Sequence, residues 1–537
     1  MRARGNFHLK SIYKRLKILR VILLAMFIGL IAYFVFAIQT YGGRWFSNPY
    51  NPNLKEQKNN VIAGEIQDRN GTVLAYSDTV GERKYNDDKA IRKAVSHVVG
   101  DAKGQTAGGA ESFQARYLLG FDQSVIERIS QRISGSDRVG TNVMLTVDAS
   151  LSKEIASAMG DHRGAVVVMN YRTGEVLAMV SRPGFDPENM EAYMTATEGS
   201  AEYTALVNRA TMGRYTPGSV FKVITAAAAL RYLPDATTRS WNCDGPLVFD
   251  KESEKYLPNV HFTQAQDQAW REQQKSQSSG GSSSAPSAGA EDSEVQAETL
   301  DSGMSIGDYK LLRDYQSKYH EALDLNRAFA VSCNHTFAQI ALDIGDDKLE
   351  KIAADFGFGV DFLFNDLQVY TSAYVRGDTP YRTGWSAIGQ HKDIVTPIHM
   401  AMISAAIANE GKMMEPKLLR YVINSRGYKS HGVSPHIFRT PLRKEEAEQL
   451  TNMMRFCVTD GTGSRAAVSG YSVCGKTGTA EVSSDKNVGN HAWFTGFIHD
   501  EDHPLAIAVV LEHGGSGGGA AAPVAGQALK AAVNRGY

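Results

Sequence analysis

The sequence predicts an α+β chain held at its N-terminus by a single membrane-spanning helix. Three observations predict it. An uncharged run, VILLAMFIGLIAYFVFAI, fills residues 21–38. Apolar runs separated by turn residues, GAVVVMNYRTGEVLAMVS at 164–181 and then YSVCGKTGTAEVS, HAWFTGFIHD and LAIAVVLEH near the C-terminus, read as antiparallel strands. Between these two strand regions, residues 216–230, 324–345, 394–409 and 443–458 follow helical periodicity.

The N-terminal segment sets the compartment. Arg2, Arg4, Lys10, Lys14, Arg15, Lys17 and Arg20 precede the apolar run, with no acid among them. Eighteen residues at about 1.5 Å each span roughly 27 Å, close to the hydrocarbon thickness of a bilayer. The basic flank predicts a cytoplasmic tail over 1–20, an anchor over 21–40 and an extracytoplasmic remainder. A cleaved signal peptide would have a shorter apolar core and a small-x-small site, which IQTYGGRWF supplies poorly. With 537 residues, a formal charge of −1 and 43% hydrophobic residues, the rest has ordinary globular composition, enough for two to four domains and without the basic bias of a nucleic-acid binder. CxxC pairs, HExxH and a glycine-rich phosphate loop are absent from the sequence, so neither a metal nor another cofactor is expected. Cys243, Cys333, Cys457 and Cys474 read as buried thiols or at most one bridge.

The elements then follow in order. YGGRWFSNPYNPN reads as an extended connector. VIAGEIQDRNGTVLAYS, 61–77, reads as strand, turn and strand, with Asn70-Gly71 at the turn. Residues 86–140 are mixed, with a glycine-rich patch and no assignable chemistry. LTVDASLSKEIASAM, 145–159, passes from a strand into a helix that Asp148 would cap. Residues 264–303 are dominated by Ser, Gln, Gly, Ala and Glu, with Trp270 the only aromatic residue, and predict a mobile surface insertion. The helical pattern at 324–345 is interrupted near Ser332, and a final helix is expected over about 523–535.

Ser-x-x-Lys occurs four times: Ser11/Lys14, Ser150/Lys153, Ser219/Lys222 and Ser483/Lys486. A serine hydroxyl needs a base before it attacks, and lysine serves when burial or another cation destabilises its ammonium. Residues three apart on a helix share a face. Only Ser219/Lys222 opens an almost wholly apolar helix, TPGSVFKVITAAAAL, whose Pro217-Gly218 junction leaves backbone N–H groups free for an oxyanion. Ser11 lies in the basic tail, and Lys153 looks solvent-facing. Lys476-Thr477-Gly478-Thr479 lies on a predicted strand, where Gly478 would let a substrate backbone approach and the hydroxyls and ammonium suit a carboxylate. Ser332-Cys333-Asn334 interrupts a helix and so could face a cleft. Ser240-Trp241-Asn242 has the same pattern but precedes a turn at Asp244-Gly245.

Ser219-x-x-Lys222, Ser332-x-Asn334 and Lys476-Thr477-Gly478, in that order, resemble the penicillin-recognising serine transpeptidases and β-lactamases. GEIQDRNGTVLA, LTVDASL, RYTPGSVFK, SCNHTF, GTGSRA and GKTGTAE narrow the resemblance to a class B penicillin-binding protein, of the compact subgroup whose connector reads NPYNP. The resemblance implies a non-catalytic pedestal over 41–160 and a transpeptidase domain over 161–537, with a central antiparallel sheet flanked by helices and the 264–303 insertion as a departure. It implies Ser219 as nucleophile toward D-Ala-D-Ala stem peptides and β-lactams, Lys222 as base, and Ser332 with Lys476 as proton shuttle. Asn334 would hold the acyl side chain's amide. Thr477 and Thr479 would meet the terminal carboxylate beside Gly478, and the N–H groups of Ser219 and Thr479 would form the oxyanion hole. It also implies a multi-spanning glycan polymerase of the shape, elongation, division and sporulation group as partner. A D,D-carboxypeptidase and a catalytically weak penicillin-binding scaffold or sensor stay open as alternatives. A β-lactamase would need a deacylating base, and no glutamate motif for one is apparent.

Overall fold

The computed structural model describes residues 2–46, 58–106, 108–123, 133, 137–200, 202–279, 306–314, 319–424, 427–430, 432, 434–482 and 488–537. Most of the NPYNP connector, the Ser483/Lys486 pair and residues 280–303 of the insertion lie outside them. The chain begins with a helix, α1 (Arg2–Phe46). Tyr13–Ala37 within it is long and apolar enough to cross a membrane, its most apolar stretch having a mean hydropathy of 2.6.

The N-terminal sheet grows from the DRNG turn. Ile66–Gln67 (β1) and Val73–Tyr76 (β2) pair antiparallel around it, with Gly71 at φ 88°. Lys84–Tyr85 (β3) pairs with β2, and Asn142–Leu145 (β4) runs parallel to β1. The helix Lys89–Val99 (α2) turns its buried face, Val95, Val98 and Val99, to the core. The sheet does not stop at residue 160. Leu419–Ile423 pairs antiparallel with β4, and Lys429–Ser430 continues the edge, so six strands draw on both halves of the chain. The division at 160/161 expected from sequence therefore does not separate the strands of this sheet.

Ala149–Ala158 (α3) starts where expected: Asp148 is 1% exposed and its Oδ1 accepts from Leu151 N at 2.8 Å. The other carboxylate oxygen accepts from Asn70 Nδ2 at 3.0 Å and Tyr537 Oη at 2.7 Å, tying the helix start to the hairpin turn.

The central sheet is antiparallel, as expected. Gly164–Asn170 (β5) and Val176–Arg182 (β6) form the predicted hairpin, with Gly174 at φ 79° in its turn. Val473–Ala480 (β7), His491–Ile498 (β8) and Leu505–Leu511 (β9) complete five strands in the order β7-β8-β9-β5-β6. Every residue of β9 is buried, so both faces must be covered. Val166, Val168, Ile507 and Val509 pack with Leu151, Ile155, Ala525 and Leu529, from α3 and the C-terminal helix Ala522–Val533. Their alternates Ala165, Val167, Ala508 and Val510 belong to the core that includes Met400 and Ala401 of Pro397–Ala408. A period of two thus sorts side chains between two helical layers. The sheet ends in β7 on one side and β6 on the other.

The insertion begins as a docked helix, Gln264–Ser279, rather than as a mobile segment. Asp267 is fully buried; its carboxylate accepts from Arg313 Nε at 2.7 Å and Tyr319 Oη at 3.0 Å. The Arg313 guanidinium lies 5.3 Å from the centre of the Trp270 ring. Composition missed this because one acid with distant partners does the anchoring that apolar residues usually do.

Replacing Asp148 with alanine removes a helix cap and the acceptor of the Tyr537 hydroxyl proton. The expected loss is about 2 kcal/mol of stability, read as a lowered midpoint of thermal unfolding.

Candidate active site

The nucleophile's position depends on a tight turn. Gly218 N donates to Gly389 O at 2.9 Å, and Trp493 Nε1 donates to Thr216 O at 3.1 Å, clamping the loop before Ser219. Gly218 has φ 56°, and a Cβ there would come within 2.5 Å of Thr479 O. Gly218–Phe221 forms one 3-10 turn, and Lys222–Tyr232 continues it as an α-helix buried from Lys222 to Ala229. Gly478 has a different reason from the one expected. A Cβ there would come within 3.0 Å of Val220 N and 3.1 Å of Pro217 O. The glycine lets the Ser219 turn itself, rather than a substrate, seat against β7.

Ser332 sits between Leu325–Val331 and Asn334–Ile344, at φ 65° and ψ 38°. This left-handed residue is the helix break seen in the sequence. The break turns its side chain to the two buried lysines. Lys476 Nζ donates to Ser332 Oγ at 2.8 Å and to Thr477 O at 3.0 Å. Lys222 Nζ donates to Ser332 O at 2.5 Å and Asn334 Oδ1 at 2.7 Å, and lies 3.3 Å from Ser332 Oγ. Ser219 Oγ has no hydrogen-bond partner among the described residues, so the lysine one turn along is held by the Ser332 turn rather than by the serine. Ser240, the competing position, lies in the strand Ser240–Cys243, paired with Glu321–Asp324 and away from the cleft.

Burial pushes the Lys222 pKa down to about 7, and the neighbouring Lys476 pushes the same way; Asp314 opposes both. Burial lowers Lys476 to about 8. The rings of Phe337 and Phe329 lie 5.6 Å from the two ammonium nitrogens, on the Lys222 and Lys476 sides respectively.

A cleft of about 620 Å³ opens over this centre, lined by Ser219, Ser332, Asn334, Thr477, Gly478 and Thr479 among others. On β7, Lys476 donates to Thr477 O, and Gln390 Nε2 donates to Thr479 O at 3.1 Å. A strand residue points its N–H and C=O to the same side. The Thr479 N–H therefore faces the cleft edge, not β8. Thr477 Oγ1 shares a hydrogen bond of 2.6 Å with Thr462 Oγ1, and Thr479 Oγ1 accepts from Gly517 N at 3.3 Å. All eight residues singled out from the sequence thus meet at one place.

Sequence reasoning missed several others. Thr462 lies in GTGSRA, a segment noted without a role. Gln390 and Asp314 lie in no motif. Asp314 is 4% exposed and accepts from the Asn334 backbone N–H, fixing the start of the second helix. Burial pushes its carboxyl up, but the bond from His320, the charge of Lys222 and the Asn334 N–H outweigh that and hold its pKa below the usual range. The bond to Asp314 in turn raises His320 to about 9. All four cysteines are buried and free. Cys243 and Cys333 approach to 3.3 Å, and both thiols donate to Asp314 Oδ2, at 3.2 and 3.0 Å. Ligand atoms of Cys243, Asp314, His320 and Cys333 lie within 4.8 Å of one another. Two thiols, an imidazole and a carboxylate are donors of the kind that hold tetrahedral zinc, so these four could hold such an ion behind the Ser332 turn. No motif spacing announces them, because they come from three separate segments, with only Asp314 and His320 near one another in sequence.

The family model for the penicillin binding protein transpeptidase domain matches residues 164–241 and 287–530. Peptidoglycan D,D-transpeptidase PbpA of Mycolicibacterium smegmatis is 29% identical over 501 residues, covering 89% of this chain and 90% of that protein. A ceftriaxone acyl-enzyme complex of penicillin-binding protein A from M. tuberculosis superposes with a TM-score of 0.71 at 25% identity, over 89% of this chain and all of that one. The D,D-transpeptidase domain of a peptidoglycan glycosyltransferase from Eggerthella lenta gives 0.67 at 26% identity, over 89% of this chain and 99% of its own. With the motif residues converging on one cleft and a family model matching more than half of its length, the chain belongs to the penicillin-binding protein transpeptidases, as a class B member.

Proposed function

We propose that this chain is a membrane-anchored serine D,D-transpeptidase that cross-links peptidoglycan stem peptides during cell-wall synthesis and is acylated by β-lactams. The observation that carries this reading is the meeting of two buried, pKa-depressed lysines at Ser332, in the cleft that Ser219 also lines.

The neutral Lys222 amine has two protons and one lone pair. Its protons suit Ser332 O and Asn334 Oδ1, so its lone pair is left for the Ser219 proton. Ser219 Oγ then attacks the carbonyl between the two D-alanines. The N–H groups of Ser219 and Thr479 receive the oxyanion. Ser332, bonded to Lys476 and close to Lys222, passes the proton to the leaving D-Ala. Thr477 and Thr479 take its carboxylate beside the Lys476 charge. The Asn334 carboxamide donates once to Arg313 O, at 3.2 Å, and keeps its second N–H for the acyl side chain's amide. An amine from a neighbouring stem peptide then releases the acyl group as a cross-link.

The basic tail supports a cytoplasmic N-terminus, with residues 41–160 as a pedestal and 161–537 as the catalytic domain outside the membrane. Cross-linking needs glycan strands to join. The partner we assign is a multi-spanning polymerase of the shape, elongation, division and sporulation group.

Full-length protein given a stem pentapeptide and an acceptor amine is expected to form cross-linked dimers. Release of D-Ala without dimers would make it a carboxypeptidase instead. Fluorescent penicillin should label wild type and not Ser219→Ala. Lys222→Arg should acylate about a hundredfold to ten-thousandfold more slowly, because a guanidinium does not give up its proton.

The acylation rate should depend on pH through both lysines. The base must be neutral, so the rate rises with pH through about 7, where Lys222 loses its proton. Above about 8, Lys476 loses the charge that holds the carboxylate, and the rate declines. Lys476→Ala removes a cation that depresses Lys222, so the remaining acid limb should move to higher pH. A rate flat across this range would sink the lysine-base reading.

A further inference from the structure

Gly389 and Gln390 touch both of the segments whose N–H groups are assigned to the oxyanion. They follow the helix Pro380–Ala387, which closes on a left-handed glycine. Gly389 has φ 73°, its N–H donates to Ser386 O at 2.8 Å, and Gln390 N donates to Trp385 O at 3.0 Å. These two bonds finish the helix and leave the Gly389 carbonyl and the Gln390 side chain to reach outward. The carbonyl accepts from Gly218 N at 2.9 Å, on the turn that carries Ser219. The Gln390 carboxamide donates through Nε2 to Thr479 O at 3.1 Å, on the cleft side of β7. Two consecutive residues thus hold the turn and the strand together.

The helix end is itself fixed. Thr225, fully buried on the helix behind Ser219, donates through Oγ1 to Ala387 O at 2.6 Å. A Cβ on Gly389 would come within 2.3 Å of Gly218 O and 2.7 Å of Phe221 Cβ, so the glycine lets the end of one helix seat against the start of the other. Thr479 is the less constrained partner. Its N–H lies in the peptide group shared with Gly478, where no side chain limits rotation. It faces the cleft, so β8 does not hold it. The Thr479 carbonyl points the same way, and a donor placed on that carbonyl fixes the residue from the cleft side. Gln390 is that donor. Gly517 N, 3.3 Å from Thr479 Oγ1, fixes the side chain.

We propose that Gln390 is a positioning residue for acylation. Through Thr479 O it sets the spacing between the Thr479 and Ser219 N–H groups, and so the strength of their paired hydrogen bonds to the oxyanion. This rests on the acyl-enzyme reading above. It adds a residue outside the three motifs that acts on the transition state and not on substrate binding. Donors fixed in advance where charge develops favour the transition state over the ground state, so a loosened donor slows the reaction and spares affinity.

Gln390→Met keeps the length of the side chain and removes the donor. On the full-length protein with benzylpenicillin, the acylation rate constant is expected to fall about tenfold to a hundredfold, while the dissociation constant of the noncovalent complex stays within about twofold. The second readout is the infrared band of the acyl-enzyme ester carbonyl, identified with benzylpenicillin isotopically labelled at its β-lactam carbonyl. Two hydrogen bonds polarise that carbonyl. The wild-type band should therefore lie below the band of the unfolded acyl-enzyme, and the Gln390→Met band should move back toward it. Gln390→Glu puts an acceptor against the same carbonyl and should show both changes at least as strongly. A rate constant and a band both unchanged in the variants would overturn the proposal. So would a slower rate with an unmoved band, or a loss carried by the dissociation constant alone, since Gln390 would then be supporting the fold or touching the substrate. Wild type alone tests the reading beneath: if benzylpenicillin failed to label Ser219, or the wild-type band matched that of the unfolded acyl-enzyme, the acyl-enzyme or oxyanion assignment would fall, and the proposal with it.

Discussion

Two ammonium groups drawn out of water toward one hydroxyl are the constraint on which the rest of this structure depends. Lys222 comes from the buried helix behind Ser219, Lys476 from the edge strand, and Ser332 from the turn between two further helices. Desolvation and mutual repulsion both oppose charging the pair, so one amine can be neutral near physiological pH. Three layers must meet closely for this. A helix buried for its first eight residues keeps Lys222 dry. Two glycines let the Ser219 turn lie on the strand edge. A left-handed serine lets a helix stop and restart within two residues. Phenylalanine rings flank both amines where polar groups would have relieved the strain on them.

Local patterns in the sequence carried a good part of this. The i, i+3 spacing of Ser219 and Lys222 before an alanine-rich helix, the strand around Lys476 and the break at Ser332 are each written in a few consecutive residues. So is the period-two alternation that sorts β5 and β9 between two helical layers. Long-range pairings were not legible. Asp314 fixes the Asn334 turn from a segment with no motif, Thr462 meets Thr477 across a loop, and Leu419–Ile423 joins β1 to β4, strands that lie hundreds of residues earlier. Gly478 was recognised as necessary, but the group that needs the space is the backbone at Val220, which only the fold brings there.

The 264–303 stretch shows how composition can mislead. Its first sixteen residues lack the apolar stripe of a core helix, yet a single fully buried acid finds an arginine and a tyrosine from the segment that also carries Asp314. The element that fits the family model least is thereby fastened to the turn that orients the base. Variation outside the three motifs can reach the catalytic cleft by this route.

The six-stranded sheet has a consequence for biosynthesis. The side of β4 that takes up Leu419–Ile423 emerges from the ribosome roughly 270 residues before its neighbour does. At about 5–20 residues per second, that leaves an apolar strand with open hydrogen-bonding groups for on the order of 15–55 s. Through that interval the nascent chain needs a holding factor, or a temporary partner for the naked edge, until translation delivers the strand that closes it.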